Sequence, residues 1–481
     1  MRFEVAEIGG TGQHIDLCAA VVDVIFARHI PARIIEQRGQ RIAKYRATGV
    51  AHMQRACGVG GDIFDIHPLA LRDYRFFWIA RFFAVVATTG LVVVIGYQFY
   101  DLARTEYGLS IREASFQLGL LGLAQFLPLA ILTPVAGWVA DRFDRRHIAI
   151  LANGIDASIA LSLAILSAND ALTLPILFLM AAMHGVARVF LAPAMSSIVP
   201  NIVPASILPR AIAFNSMAWQ SATVIGPGIG GILFARQADI PYWLFTGLLV
   251  TASLCVALIK PFPKPQIKGD AHPFQQMIDG LRYTWNERFL LGAITLDLFA
   301  VLLAGATALL PVFARDILFV GPEGLGWLRA APAAGATLVA LWFSFRPLER
   351  NVGVKMLWAV VVFGAATICF GLSQSYWLSL GLLAVLGGAD MLSVYVRSSL
   401  VQLNTPDDMR GRVGAVSSLA VSGSNELGEL QSGLAAAVLG PIGAVVFGGI
   451  GAILVSGLWA WLFPELRRAR TFEPQFRRID P

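Results

Sequence analysis

The chain has 481 residues, 56% of them hydrophobic and only 14% charged, with a mean hydropathy of +0.66 and a formal net charge of +6. Soluble domains carry about a quarter charged residues, so this composition excludes a soluble globular domain and points to a polytopic membrane protein. The basic residues sit in short turns between apolar segments, a pattern that orients helices in a bilayer and argues against nucleic-acid binding.

Residues 1–72 differ from the rest of the chain. They hold Arg-rich patches such as RIIEQRGQRIAKYR, no 18-residue apolar run, and no apolar region followed by a cleavage site. They read as a disordered N-terminal extension, or as sequence upstream of a true start at Met53. The GGTG at 9–12 follows no clear strand and carries no weight as a phosphate loop. Cys18, Cys57, Cys255 and Cys369 lack metal-ligand spacing, so no metal site is expected.

From residue 76 apolar segments long enough to span a bilayer recur. Helices are expected at 76–99, 116–140, 147–168, 172–199, 211–235, 241–260, 289–313, 324–345, 354–372, 376–400, 412–437 and 441–463. The polar stretch between the sixth and seventh contains FQQMIDGLRYTW, whose spacing suits an interfacial helix. The expected organisation is an N-terminal six-helix bundle over 73–263, a cytoplasmic linker over 264–288, a C-terminal six-helix bundle over 289–464, and a basic tail over 465–481.

Alternate loops differ sharply in charge. One set carries nineteen Lys and Arg, including Arg142, Arg145, Arg146, Arg210, Lys264 and Arg410; the other carries five, Arg104, Arg112, Arg236, Arg315 and Arg329. The positive-inside rule then makes both termini cytoplasmic.

The halves also share sequence. Ser196, Ser197, Pro204, Arg210, Ala213, Ser216, Gly226 and Gly231 recur as Ser398, Ser399, Pro406, Arg412, Ala415, Ser418, Gly428 and Gly433 at a constant offset of 202 residues. A six-helix repeat marks a transporter built from two related bundles around a shared cavity.

Together with PAMSSIVPNIVP and NTPDDMRGRV, the sequence GWVADRFDRR at 137–146 makes the chain resemble the major facilitator superfamily, in the branch that includes bacterial enterobactin exporters and related efflux proteins. Gly137, Asp141, Arg142, Arg145 and Arg146 match that family's loop between helices two and three, whereas Asp144 stands where most members have Gly. The resemblance implies a gating contact of Asp141 with Arg410 and Arg412, at the start of helix eleven, when the outer gate is open. The bland reading of the loop arginines is topological anchoring. In helix five, GPGIGG (Gly226, Pro227, Gly230, Gly231) matches the core of the antiporter motif, although Ala213 and Ala222 replace its two upstream glycines. Tight helix packing alone would also account for it.

Charges at bilayer depth are costly and default to function. Arg188 in helix four and Asp390 in helix ten share the 202-residue offset and so are expected at equivalent depth, facing each other or a common substrate. His184, Asp297, Arg397, Glu426 and Glu429 complete the candidate cavity or coupling set, with Asp156 as an outlying member. Any of these could instead form a structural ion pair. The expected function is secondary-active export of small molecules, coupled to protons, by a monomer in the bacterial inner membrane. No cofactor, nucleic acid or enzymatic activity is expected. Uptake of a nutrient or siderophore is the rival within transport; a receptor or scaffold is the rival outside it.

Overall fold

A computed structural model describes residues 67–204, 206–261, 273–346, 348, 350–407 and 409–473. The extension expected over 1–72 therefore lies outside the described residues up to 66. The same holds for Lys264 and Lys268 in the linker, and for the tail beyond 473.

Lipid offers no partners for backbone N–H and C=O groups, so each apolar segment satisfies its own as a helix. The first half contains α1 (Arg72–Thr105), α2 (Ile111–Arg142), α3 (Arg145–Ala168), α4 (Leu174–Ser196), α5 (Leu208–Arg236) and α6 (Ile240–Ala257). The second contains α7 (Arg288–Leu303), α8 (Gly321–Phe345), α9 (Val352–Leu372), α10 (Tyr376–Asn404) and the continuous run Arg410–Leu462. That run contains two crossings, α11 (410–439) and α12 (441–462), separated at Gly440, whose φ of 75° and ψ of 165° suit a residue without Cβ. Pro441 comes next and cannot donate the hydrogen bond that would extend α11. The fold is all-α, with twelve crossings in two pseudo-symmetric bundles.

One expected helix is broken. The segment 289–313 is α-helical only to Leu303; beyond it come a 3-10 turn (Ala306–Leu309), a short helix (Leu310–Val312) and a π-turn (Phe313–Ile317). Pro311 lacks a donor, and Gly305 lies so close to Ser432 Oγ and the Gly428 carbonyl that a Cβ would sit 2.6 Å from each.

Within the halves the contacts repeat: α2 packs on α4 as α8 packs on α10, α3 on α4 as α9 on α10, and α1 on α5 as α7 on α11. The glycines of the sequence repeat sit at these contacts. Gly226 meets α1 at Val86, Thr89 and Gly90, while Gly428 meets α7 at Val301 and Leu302. The linker helix (Pro273–Asn286) lays Gly280 against the backbone of Arg412 and exposes Ile278, Leu281 and Trp285 on its other side, an apolar stripe suited to an interface.

The two ends of the bundle differ. The end where Arg72, Arg142, Arg145, Arg210 and Arg410 lie is called the basic face, and the opposite end the far face. At the far face the halves touch through small residues. A Cβ on Gly433 of α11 would sit 2.6 Å from the Cα of Gly119 on α2, and one on Gly231 of α5 would sit 2.9 Å from the Cα of Gly326 on α8. The repeat partners Gly231 and Gly433 thus make equivalent cross-half contacts. Ion pairs border this seal: Arg104 Nε to Asp316 at 3.4 Å, and Arg315 Nε to Asp101 at 3.1 Å. Tyr100 adds a 2.5 Å hydrogen bond donated to Asp316.

This seal leaves no room for a side chain. Gly433→Val should overpack it by about 1–3 kcal/mol and favour separation of the halves at the far face. In a cysteine-free background, Ser115→Cys, at a fully buried position beside Gly433, should then react with a maleimide several-fold faster. An unchanged rate would mean that the glycines do not hold the halves together.

Candidate functional site

A cavity of about 920 Å³ lies between the halves. Its walls come mainly from α1, α2, α4 and α5 on one side and α7, α8, α10 and α11 on the other, with Asp156 of α3 and Phe363 of α9 behind them. It extends to Gly137, Met195 and Ala415 near the basic face, and none of Gly119, Gly231, Gly326 and Gly433 lines it. The cavity therefore belongs to the midplane and the basic half of the bundle.

Seven of its lining residues can carry charge, besides the neutral or cationic His184. Arg188 Nη1 donates to Glu426 Oε1 at 2.6 Å, joining α4 of one half to α11 of the other. The Arg188 side chain is 49% exposed and that of Glu426 only 7%, so the carboxylate depends on the guanidinium while the guanidinium can still reach water or a ligand. Asp390 also lines the cavity, but no ion pair joins it to Arg188. The pairing expected from equal depth is corrected. A matching position along two helices leaves their rotation free, and α11 brings Glu426 to Arg188 instead.

Glu429 lies one turn beyond Glu426 and packs on α2, where a Cβ on Gly122 would sit 2.7 Å from its Oε2. Its counter-ion is Arg329 of α8 at 3.8 Å, which also donates to the carbonyl of Thr307 at 2.7 Å. Arg329 therefore satisfies backbone freed by the break after α7 while facing a carboxylate, the arrangement expected of an interrupted membrane helix lining a cavity. His184 Nδ1 lies 2.9 Å from Asp156 Oδ1, linking α4 to α3, with both side chains nearly fully buried. Asp156 Oδ2 and both polar side-chain atoms of Asn153 are buried without a protein partner. Asp297 and Arg397 do not belong to the cavity. They form a buried ion pair between α7 and α10 inside the second half, because each finds its counter-charge on the neighbouring helix.

The loop at 137–146 serves its own half. Asp144 caps α3 by accepting from the Arg146 N–H at 3.0 Å and pairs with the Arg146 guanidinium at 2.6 Å. Partial burial works against its charge, but the hydrogen bonds from Arg146 prevail and hold the carboxyl below the usual carboxylate range. Arg145 donates to the Ser197 carbonyl at 3.2 Å and Arg146 to the Ile259 carbonyl at 2.7 Å, satisfying backbone just beyond α4 and α6. Gly137 faces the cavity. The side chain of Asp141 lies outside the described residues, and Arg142 sits at the C-terminal turn of α2. Arg410 pairs with Asp407 at 2.7 Å and Arg412 with Asp279 of the linker helix at 3.7 Å, both within the second half or its linker. In GPGIGG, Gly226 and Gly230 pack on α1, while Gly231 and the Pro227 carbonyl face Gly326 across the halves.

A family profile described as transmembrane secretion effector matches residues 65–473. The chain belongs to this family. It is a secondary transporter of the major facilitator superfamily and not an enzyme. The enterobactin exporters of Shigella boydii serotype 18 and of Escherichia coli strain SMS-3-5 are each 24% identical over 425 residues, covering 87% of this chain and 97% of theirs. Among solved structures, an inward-facing, unoccupied bacterial homolog of the human lysosomal transporter Spinster aligns with a TM-score of 0.61 at 16% identity, covering 83% of this chain and 97% of that one. The peptide transporter POT aligns with a TM-score of 0.65 at 12% identity, covering 83% and 96%. These likenesses show the fold. The family's transporters work on small molecules in a membrane, which fits a largely apolar cavity with charged residues set into it and walls from both halves.

The unequal burial of the cross-half pair makes its removal asymmetric. Arg188→Ala strands the buried Glu426 carboxylate and should cost about 3–5 kcal/mol, whereas Glu426→Ala leaves a half-exposed guanidinium and should cost roughly 1 kcal/mol. Thermal unfolding of the purified variants should rank them in that order, with the double variant more stable than Arg188→Ala. The reverse order would mean that Glu426 is not held by Arg188.

Proposed function

We propose that the protein is a proton-coupled exporter of drug-like or siderophore-like small molecules that works as a monomer in the bacterial cytoplasmic membrane. The basic face and both termini are cytoplasmic, in line with the nineteen-to-five bias of Lys and Arg between alternate loops. The observation that carries this reading is the cavity itself: it is walled by both halves, crossed by the Arg188–Glu426 pair, and absent from the sealed far face. With the basic face inside, this is an inward-facing state ready to load substrate from the cytoplasm. Alternating access then requires the far-face seal to part while the halves close around Gly137 and Ala415.

Export as the direction is supported by the family description of secretion effectors and by relatives that are enterobactin exporters. The GPGIGG sequence at 226–231 supports it too, through its likeness to the core of the antiporter motif associated with exporters. For coupling, the carboxylates to weigh are Asp390, Glu426 and Glu429. Arg188 holds Glu426 and Arg329 faces Glu429, while Asp390 lines the cavity without a counter-ion among the described residues. A carboxylate so placed at membrane depth takes either a proton or a cationic partner. Asp390 is therefore the proton site, loaded when substrate has left. In its gating role the loop of Asp141 and Arg142 would meet Arg410 and Arg412 once the basic face closes.

Inside-out membrane vesicles energised to an acidic lumen test the reading through a pH-sensitive dye. Adding siderophore-like or drug-like compounds should dissipate the gradient for those that are exported, and Asp390→Asn should abolish that dissipation while leaving protein levels unchanged. Accumulation of the same compounds by intact cells, driven inward by the gradient, would reverse the direction.

A further inference from the structure

Among the described residues, most of the charged groups around the cavity pair off: Arg188 with Glu426, Arg329 with Glu429, and His184 with Asp156, while Asp390 on the wall of the second half has no counter-ion. Among the described residues one cavity cation is also left over. Arg81 of α1 lines the cavity in the first half, its Nε is buried without an acceptor, and no ion pair or hydrogen bond reaches its guanidinium among the described residues. It contacts the ring of Trp219 on α5, 4.7 Å from the guanidinium carbon to the ring centroid. Arg81 lies five residues, roughly 7.5 Å, into the apolar run of α1 that begins at Phe76. A cation that deep is expensive unless something pairs with it.

We propose that Arg81 and Trp219 form a subsite for the anionic group of the transported molecule, so that the substrates are organic anions, carboxylates or phenolates, attached to an apolar or aromatic body. Trp219 occupies one side of the guanidinium, and its terminal Nη groups, which carry no partner among the described residues, can donate in parallel to the two oxygens of a carboxylate. Cavity residues Ala84 and Val85, on the next turn of α1, are apolar, and Trp219 is itself 44% exposed, leaving indole surface for an aromatic body. A permanent organic cation would meet Arg81 unscreened, so this site selects against it. The subsite refines the export reading and rests on it for the identity of its ligand as cargo.

Three probes share one apolar body and differ in charge: 2-naphthoate, 2-naphthylmethanol and 2-naphthylmethylammonium. Their binding to the full chain in nanodiscs, monitored by probe fluorescence, should favour the anion by about tenfold over the alcohol and by more over the cation. Arg81→Gln should erase the preference for the anion. Arg81→Lys keeps the charge but loses the planar fork, so it should retain the order of the three probes with a smaller gap. Trp219→Leu should weaken all three. Equal or tighter binding of the cation by the wild-type chain would overturn the proposal, whatever the variants do. So would an undiminished anion preference in Arg81→Gln, once its thermal unfolding shows that it folds. Binding needs no flux: anion selectivity without export in vesicles would sink the export reading alone, whereas export without anion selectivity would sink this subsite alone.

Discussion

The close approach of α2 to α11 and of α5 to α8 at the far face is the constraint on which the rest of the arrangement depends. Helices in lipid gain little from apolar burial against each other, so association rests on packing, and glycine permits the closest packing. Gly119 with Gly433 and Gly231 with Gly326 bring the backbones of opposite halves together at one end only. Towards the basic face the cavity opens in the space between the halves. The flanking pairs Arg104–Asp316 and Arg315–Asp101 are partly exposed and worth about 0–1 kcal/mol each, so they orient the seal more than they hold it. A contact made of shape can be parted and remade without stranding a charge, which suits a gate.

Charge does the opposite work at the midplane. Glu426 is buried and needs Arg188, which reaches it from the other half, so the two bundles are tied where the seal ends. Asp297 and Arg397, by contrast, are paired inside one bundle and stiffen it. Between these, Arg329 bridges function and architecture: it faces Glu429 and also satisfies a carbonyl freed where α7 breaks. In the proposed cycle, substrate and proton act on what remains unpaired, Arg81 on one wall and Asp390 on the other.

Much of this was legible in the sequence because a bilayer restricts the options. Every spanning segment must be a helix of about twenty apolar residues, so the twelve crossings emerge from hydropathy alone. The 202-residue repeat pointed to paired bundles, and its glycines prove to be the residues that touch the neighbouring helix or the opposite half. The partner of Arg188 was not legible, since repeat symmetry speaks for depth and says nothing of helix rotation. Nor was the break after α7, because Gly305 and Pro311 sit in an otherwise unbroken apolar run, and both are tolerated in membrane helices. The role of Arg81 was not legible, because it comes soon after Arg72 and Arg75 and reads as one more interfacial arginine near a helix start; only the packing of α5 brings Trp219 to it. Asp144, odd against the family pattern, has a local explanation as the cap of α3.

The central claim is that the far-face seal and the basic-face opening are two ends of one rigid rocking motion. It can be read from two distances in one molecule. Spin labels replacing the exposed Tyr107 and Phe319 report across the far face, and labels replacing His147 and Leu403 report across the basic face. In a Gly326→Val background, where the new side chain would press on the Pro227 carbonyl, pulsed electron resonance should find the far-face distance lengthened and the basic-face distance shortened together. A longer far-face distance with the basic face unchanged would contradict the account, because the halves would then hinge apart without exchanging access.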